Sequence, residues 1–272
     1  MFTSPVKNQI YIFMGVANTL IERGHNVTIV TIIPIPNELI KSEKPFRHIF
    51  LKTPPESIRT LNNQMMELDE FASKFKIIRN IILIFNLFPR IQENALKTVI
   101  FQEFLKEDNH FDLMVLGYFH NDFIVGVAAR YRCAIAVVSL AAPYGAINRM
   151  VGNPAETSYV QIPFFGKSQP MSFLERTNNV LWSGLEPLLE IYVNYQMEQS
   201  YRTLFTDESY PPYSDVISNI SLVLYNRHFS EMPVRPLVPA LVEIGGIQDE
   251  DQSEYLPQVS FSSMKYQQIC YS

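Results

Sequence analysis

Residues 20–31 read LIERGHNVTIVT, and this stretch decides the fold because a helix ends in it and a buried strand begins at once. Upstream, apolar residues recur over 10–21 at the spacing of one helix face. Gly24 is the expected C′ residue, since glycine enters the left-handed region at little cost. The β-branched run over 27–33 predicts a strand that is buried on both faces of a parallel sheet. The stretch therefore predicts half of a β-α-β unit.

A second unit of the same kind lies near the middle of the chain. Residues 111–117 predict a buried strand, residues 122–131 a helix with Asn121 or Asp122 as its N-cap, and residues 134–140 a third strand. This order favours an α/β fold with a mostly parallel sheet flanked by helices. The other predicted strands lie over 46–51, 219–225 and 241–246. The other predicted helices are one over 9–23, one or two over 171–204, and two parted near Pro89 within 76–106, and a long loop is predicted over 141–170.

Composition excludes several classes of function. The 272 residues are 47% hydrophobic and carry a net charge of −5, so the chain favours a packed core and argues against nucleic-acid binding. Its two cysteines, Cys133 and Cys270, are far apart, and no metal-ligand spacing occurs. We see no apolar leader and no run of about 20 apolar residues, so the sequence predicts neither a signal peptide nor a membrane span. This favours a cytoplasmic chain.

The character of the chain changes after Gln248. The acidic run DEDQSE occupies residues 249–254, and residues 258–272 show no periodicity. We therefore expect one domain over residues 1–248 and an unstructured tail over 249–272. A strand should also precede the first helix, and only a few residues are left for it, so we expect that strand to be truncated.

Several segments in a fixed order resemble one family. Besides residues 20–31 they are FDL at 111–113, GYFHND at 117–122, VGNPAE at 151–156, QPMSF at 169–173, SLVLYN at 221–226, PVRPLVP at 233–239 and EIGGI at 243–247. Their order and spacing resemble the N-terminal half of UDP-glycosyltransferases, in particular insect members of the UDP-glucuronosyltransferase-like group. The resemblance implies the Rossmann-like N-terminal half of a GT-B fold, which holds a lipophilic acceptor and faces a second domain that holds the UDP-sugar.

The resemblance also implies a reaction. Family members move a hexose, glucose for insect members, from a UDP-sugar to the hydroxyl of a small lipophilic compound, and they are lumenal proteins of the endoplasmic reticulum membrane. UDP-sugar is the co-substrate, and no cofactor is expected on this chain itself. Because the resemblance stops before the sugar-nucleotide domain, we expect an incomplete chain that is inactive alone. The alternatives are a non-catalytic module that binds lipophilic ligands or pairs with full-length relatives, and a product without function.

The catalytic pair of the family is a histidine at the start of the first helix, which acts as the base, and an aspartate that orients it. Counting back from the helix end places the histidine position on Gln9, or on Asn8 after a slip of one residue. The aspartate position falls on Gly117. Neither can replace the family residue, because an amide does not titrate near neutral pH and glycine has no side chain. Asp122 and His120 lie nearby as substitutes, although a helix cap and a loop residue are their commoner uses.

The acceptor site is expected at the carboxyl ends of the strands, where the loops over 32–40, 117–122 and 141–165 meet. Aromatic side chains in such loops suit flat lipophilic ligands. The candidate acceptor-binding residues are Tyr118, Phe119, His120, Tyr144, Phe164 and Phe165. The alternative is that half of these side chains cover the core.

Overall fold

The structure is a computed structural model that describes residues 1–52, 86, 88–162, 170–228, 230 and 235–247. In these residues the helices are α1 (Lys7–Glu22), α2 (88–96), α3 (Val99–Lys106), α4 (Gly126–Tyr131), α5 (Gly145–Met150), α6 (Phe173–Leu204) and α7 (Tyr213–Ile217). The strands are β1 (Thr28–Thr31), β2 (Arg47–Phe50), β3 (Leu113–Tyr118), β4 (Ala134–Ser139), β5 (Ile220–Tyr225) and β6 (Leu241–Glu243). Short 3-10 turns occupy Asn37–Leu39 and Asp122–Val125.

All strand pairs are parallel. β1 pairs with β2, and β3 to β6 pair in sequence order. Phe2 joins the two groups, since it bridges Val30 on one side and Leu116 on the other. Its N–H donates to the carbonyl of Val115 at 2.8 Å, and its carbonyl accepts from the N–H of Gly117 at 2.7 Å. The first residues therefore occupy the place between β1 and β3 where the sequence predicts a strand before α1.

Alternate strand residues face two separate cores, as the pleat of a strand requires. Leu116 and Val137 pack with α2, α3, α4, α7 and the end of α6. Val115 and Val138 point the other way and pack against α1. The sheet is thus covered by helices on both faces, which confirms the predicted α/β class.

The end of α1 forms as predicted. Gly24 has φ +90°, its N–H donates to the carbonyl of Ile21 at 3.0 Å, and the N–H of His25 donates to the carbonyl of Leu20 at 3.0 Å. These two bonds satisfy the last carbonyls of the helix in a Schellman arrangement. β1 then begins at Thr28 as a buried strand.

One predicted helix boundary and part of one predicted loop are wrong. Pro89 lies inside α2, and the break between α2 and α3 falls at residues 97–98. Thr98 takes an extended conformation, and its carbonyl accepts the first N–H groups of α3. The predicted loop over 141–170 contains α5, which is too short to show helical periodicity in the sequence.

The predicted helix cap is also wrong. Neither Asn121 nor Asp122 caps the 3-10 turn with a side-chain hydrogen bond. The amide of Asn121 is used to hold the preceding turn, because it accepts from the N–H of Phe119 at 2.9 Å and donates to the carbonyl of Gly117 at 3.0 Å and to Gln92 at 2.8 Å.

The predicted domain boundary at residue 248 and the predicted tail over 249–272 lie outside the described residues. Within the described ranges, no helix combines the length and the apolar character needed to cross a membrane. α6 has the length, with 32 residues, but charged side chains interrupt it.

Candidate functional site

A cavity of about 350 Å³ opens at the carboxyl ends of β3 and β4. β3 and the turn after it supply one wall, and α5 with α6 supplies the other. The side chains that line it include Tyr118, His120, Asp122, Tyr144, Ala146, Arg149, Met150, Trp182, Glu186, Leu189, Glu190, Val193 and Asn194. The position agrees with the general rule that open α/β sheets bind ligands beyond the carboxyl ends of their strands.

The turn after β3 directs two polar side chains into the cavity. His120 has φ +50°, a conformation that is uncommon outside glycine, and the amide of Asn121 holds the turn in this shape. His120 and Asp122 are both buried, at 8% and 4% exposure.

Asp122 is the unusual group of the site. Its Oδ1 is buried and has no hydrogen-bond partner among the described residues. Burial raises the pKa of the Asp122 carboxyl from 3.8 to about 7, because a charge in this environment loses its hydration. The side chain is therefore an unused hydrogen-bond acceptor that takes up a proton near neutral pH.

An aromatic group adjoins Asp122. The hydroxyls of Tyr118 and Tyr144 are hydrogen-bonded to each other, and the Tyr144 hydroxyl lies 3.3 Å from Nε2 of His120. Burial lowers the pKa of His120 from 6.5 to about 3, and burial raises the pKa of both tyrosines. At neutral pH these three side chains are uncharged, so they can form hydrogen bonds with a ligand without placing a charge beside it.

The opposite wall carries an ionic group. Glu186 accepts from the backbone N–H of Gly145 at the start of α5, and its Oε1 lies 3.8 Å from Nη2 of Arg149. Arg149 also forms an ion pair with Glu190. Burial raises the pKa of Glu186, while the nearby Arg149 opposes this effect. With Asp122 across the cavity, the lining has more carboxyls than guanidinium groups and disfavours an anionic ligand.

Gln9 and Gly117, the positions of the family base and aspartate, lie side by side outside this lining. Gln9 is fully buried, and its Nε2 donates to the carbonyl of Tyr118 at 3.0 Å and to that of Val138 at 3.2 Å. The Ser4 hydroxyl donates to Oε1 of Gln9. These contacts join the ends of β3 and β4 to the first turn of α1, and through Ser4 to the chain before it. Neither position carries a titrating side chain.

The structure brings some of the predicted acceptor residues together and not others. Tyr118, His120 and Tyr144 line the cavity. Phe119 turns away and packs on Phe88, with ring centroids 4.4 Å apart. The last two, Phe164 and Phe165, lie outside the described residues. The loop over 32–40 supplies no lining residue.

Sequence reasoning missed the wall that α6 provides. Trp182, Glu186 and Glu190 lie four residues apart, so one face of the helix presents all three. This spacing was visible in the sequence, but nothing there indicated that the face would turn toward the end of β3.

Comparison with known proteins gives the family. The family model described as UDP-glucoronosyl and UDP-glucosyl transferase matches residues 9–263. The chain belongs to this family. UDP-glycosyltransferases of this family use a UDP-sugar as donor substrate, and the parallel α/β sheet is that of a Rossmann-like GT-B half. Both the predicted resemblance and the predicted fold class are confirmed.

Several relatives carry related names. UDP-glycosyltransferase UGT4 of Dactylopius coccus is 26% identical over 229 residues, which are 83% of this chain and 43% of that protein. UDP-glucosyltransferase 2 of the same organism is 26% identical over 84% of this chain and 43% of its own length. The putative UDP-glucuronosyltransferase ugt-47 of Caenorhabditis elegans is 22% identical over 92% of this chain and 47% of its own length. The chain thus spans less than half the length of these UDP-glycosyltransferases.

The described residues also bear on metal binding. No group of three or more histidine, cysteine, aspartate or glutamate side chains lies close enough to hold a metal ion in this part of the chain.

Proposed function

We propose that the described part of this chain is the acceptor-binding domain of a UDP-glycosyltransferase, and that its cavity binds a small lipophilic compound through a hydroxyl group. The observation that supports this most strongly is Asp122, whose buried Oδ1 lacks a partner in a cavity with a largely apolar lining. A buried acceptor without a partner costs about 1–3 kcal/mol, and a ligand hydroxyl would recover that cost.

The shape of the cavity supports a small ligand with one or two rings. Its volume of about 350 Å³ falls at the lower end of the range for small-molecule pockets. Trp182 and Tyr144 offer flat surfaces, while Leu189 and Val193 offer aliphatic ones. Because the lining disfavours anions, we propose neutral phenols and alcohols rather than carboxylic acids as acceptors.

The reaction we propose follows from the family. The acceptor oxygen attacks the anomeric carbon of the UDP-hexose, the bond from that carbon to the UDP oxygen breaks, and the hydroxyl proton passes to a base. We propose glucose as the hexose, in line with the relative named UDP-glucosyltransferase 2. We further propose Asp122 as the base, because Gln9 is an amide and Gly117 has no side chain. A base works best when its pKa lies near the working pH, and that of Asp122 is about 7.

Calorimetric titration tests the binding proposal with a matched pair of ligands. 4-Methylumbelliferone carries a phenolic hydroxyl, and its 7-methyl ether has the same ring without the donor. We expect saturable binding of the phenol and affinity at least about tenfold weaker for the ether, since the ether leaves Asp122 without a partner. Equal affinities would contradict the assignment of Asp122 to the ligand hydroxyl.

A second comparison localises the binding. Ala146 lines the cavity, so the larger side chain in Ala146→Leu should fill part of it and lower the affinity for the phenol by about an order of magnitude. Ala155 is exposed and lies outside the lining, so Ala155→Leu is the matched control and should bind as the natural chain does. If Ala146→Leu binds the phenol unchanged, the ligand lies elsewhere.

A further inference from the structure

The cavity wall opposite Asp122 carries one carboxylate more than its positive charge can neutralise. α6 presents Glu186 and Glu190 to the cavity, and Arg149 of α5 supplies the one guanidinium of the lining among the described residues. Arg149 forms its close ion pair with Glu190, whereas Oε1 of Glu186 lies 3.8 Å from Nη2 of Arg149, beyond hydrogen-bond distance. The charge of Arg149 is therefore used mainly by Glu190, and Glu186 is left in excess.

Glu186 keeps acceptor capacity for a ligand. Its carboxylate accepts from the backbone N–H of Gly145, and a carboxylate offers about four acceptor positions. The side chain is 26% exposed and lines the cavity. Burial raises the pKa of Glu186 in spite of the opposing effect of Arg149, so these contacts do not fully replace the lost hydration of the charge. A second positive charge beside Glu186 would complete that compensation.

Aromatic side chains lie between Glu186 and Asp122. Both carboxyls are close enough to Tyr144 to raise the pKa of its hydroxyl, so the two acidic groups lie on either side of that residue. Trp182 lines the same cavity one helical turn before Glu186. The face of an aromatic ring attracts a cation within about 6 Å of its centre. A ligand with one ring and a short side chain can therefore reach both carboxyls along an aromatic surface.

We propose that the cavity prefers acceptors that carry a protonated amine, which Glu186 binds, at the end opposite the hydroxyl that Asp122 binds. The inference rests on the proposed function and adds a second recognition element to it. Neutral phenols occupy the hydroxyl site, and hydroxyaryl alkylamines occupy both sites. An alkylamine is charged at neutral pH because its pKa is about 10. A buried ammonium group is costly alone, but the excess carboxylate of Glu186 supplies the partner that it needs.

Calorimetric titration of the natural chain with three ligands tests the preference. Tyramine, 4-ethylphenol and 4-hydroxyphenylacetate share a phenol ring and end in an ammonium, a methyl and a carboxylate group. We expect tyramine to bind at least about tenfold more tightly than 4-ethylphenol, and the carboxylate to bind most weakly. Equal affinities for tyramine and 4-ethylphenol, or tightest binding of the carboxylate, would overturn the amine site and leave the hydroxyl site standing. If none of the three binds, the proposed function fails with it.

A matched pair of variants assigns the preference to one carboxylate. Glu186→Gln keeps an acceptor for the N–H of Gly145 and removes the charge, so the ratio of the tyramine and 4-ethylphenol affinities should fall to about twofold or less. Glu198→Gln lies on the same helix outside the lining and should keep the ratio. A ratio that survives in Glu186→Gln, or that only Asp122→Asn removes, would overturn the assignment. The three ligands on the natural chain keep the test open if Glu186→Gln does not fold.

Discussion

Gln9 and Gly117 are in contact, since a Cβ atom at position 117 would lie 3.2 Å from Oε1 of Gln9. The same glutamine donates to the carbonyls of Tyr118 and Val138, at the ends of two neighbouring strands. Glycine at 117 leaves room for this arrangement, because any larger residue would press on a side chain that is already held by its hydrogen bonds. The two positions that the resemblance assigns to proton transfer are therefore occupied by a structural tie.

Replacing Gln9 should lower stability. Gln9→Leu removes the donor to two strand-end carbonyls and the acceptor for Ser4, and we expect a loss of about 2–3 kcal/mol in the free energy of unfolding. Urea denaturation measures it. Gln102→Leu is the control, since Gln102 is half-buried and donates to one carbonyl at 3.0 Å. An equal loss of unfolding free energy in both variants would contradict the structural role that we assign to Gln9.

Asp122 should make stability fall as pH rises. Its pKa is about 7 in the folded chain and about 3.8 unfolded, so the folded state keeps its proton where the unfolded state loses it. The contribution of Asp122 to the free energy of unfolding is complete below pH 3.8. It is lost progressively as the pH rises to 7, by about 4 kcal/mol. Asp122→Asn should therefore exceed the natural chain in stability at pH 8 and match it near pH 4, as measured by denaturant unfolding at each pH.

His120 should act in the opposite direction. Its pKa is about 3 folded against 6.5 unfolded, so its contribution is complete above pH 6.5 and is lost as the pH falls toward 3. His120→Asn removes this loss, and asparagine tolerates the left-handed backbone at φ +50°. The Asp122→Asn variant keeps His120, so its free energy of unfolding should still fall as the pH is lowered. The His120→Asn variant keeps Asp122, so its free energy of unfolding should still fall as the pH is raised. Parallel pH curves for the two variants would refute both assignments.

The N-terminal cap of α6 supports the second wall of the cavity. Ser172 accepts from the N–H of Glu175, while the Glu175 carboxylate accepts from the N–H of Ser172. Ser172→Ala should lower the free energy of unfolding by about 1 kcal/mol. Ser183 lies inside the same helix, where alanine is the better helix former, so Ser183→Ala should be neutral or slightly stabilising. Thermal unfolding of the two variants compares them, and a larger loss for Ser183→Ala would contradict the cap.

Elements that depend on short-range sequence patterns were predictable. The end of α1 is set by one glycine and the start of β1 by the β-branched run after it, so the sequence alone indicates where the helix ends and the strand begins. The same holds for β3 and β4, whose apolar runs are continuous. Tyr144 and His120 were predictable as cavity residues because both follow strand ends, where parallel sheets bind ligands.

The remaining features depend on contacts distant in sequence. α5 is six residues long, and its first N–H is satisfied by Glu186 on α6, which no local pattern shows. Asp122 appears in the sequence as an ordinary helix cap, and only its burial against the α6 wall makes it an unpaired acceptor. Phe119 comes directly after Tyr118, the last residue of β3, but its ring packs on Phe88, which is 31 residues earlier in the sequence.

Acceptor binding should itself depend on pH. A carboxylate is a stronger hydrogen-bond acceptor than a carboxylic acid, so the affinity for a phenol that stays neutral should rise as Asp122 ionises near pH 7. We expect a gain of up to about tenfold between acid and alkaline solution, absent in Asp122→Asn. Titration of 2-naphthol at a series of pH values measures it, and a gain retained in Asp122→Asn would assign the effect to another group.

The central claim is that the cavity beside β3 and β4 binds a lipophilic hydroxyl compound, and Trp182 reports on it directly. It is the only tryptophan of the chain and lines the cavity. Excitation of Trp182 should produce coumarin emission from bound 4-methylumbelliferone that saturates with ligand. Half-saturation should need about tenfold more ligand in Ala146→Leu and the same ligand concentration in Ala155→Leu. Emission that rises without saturation, or that is the same in both variants, would contradict the account.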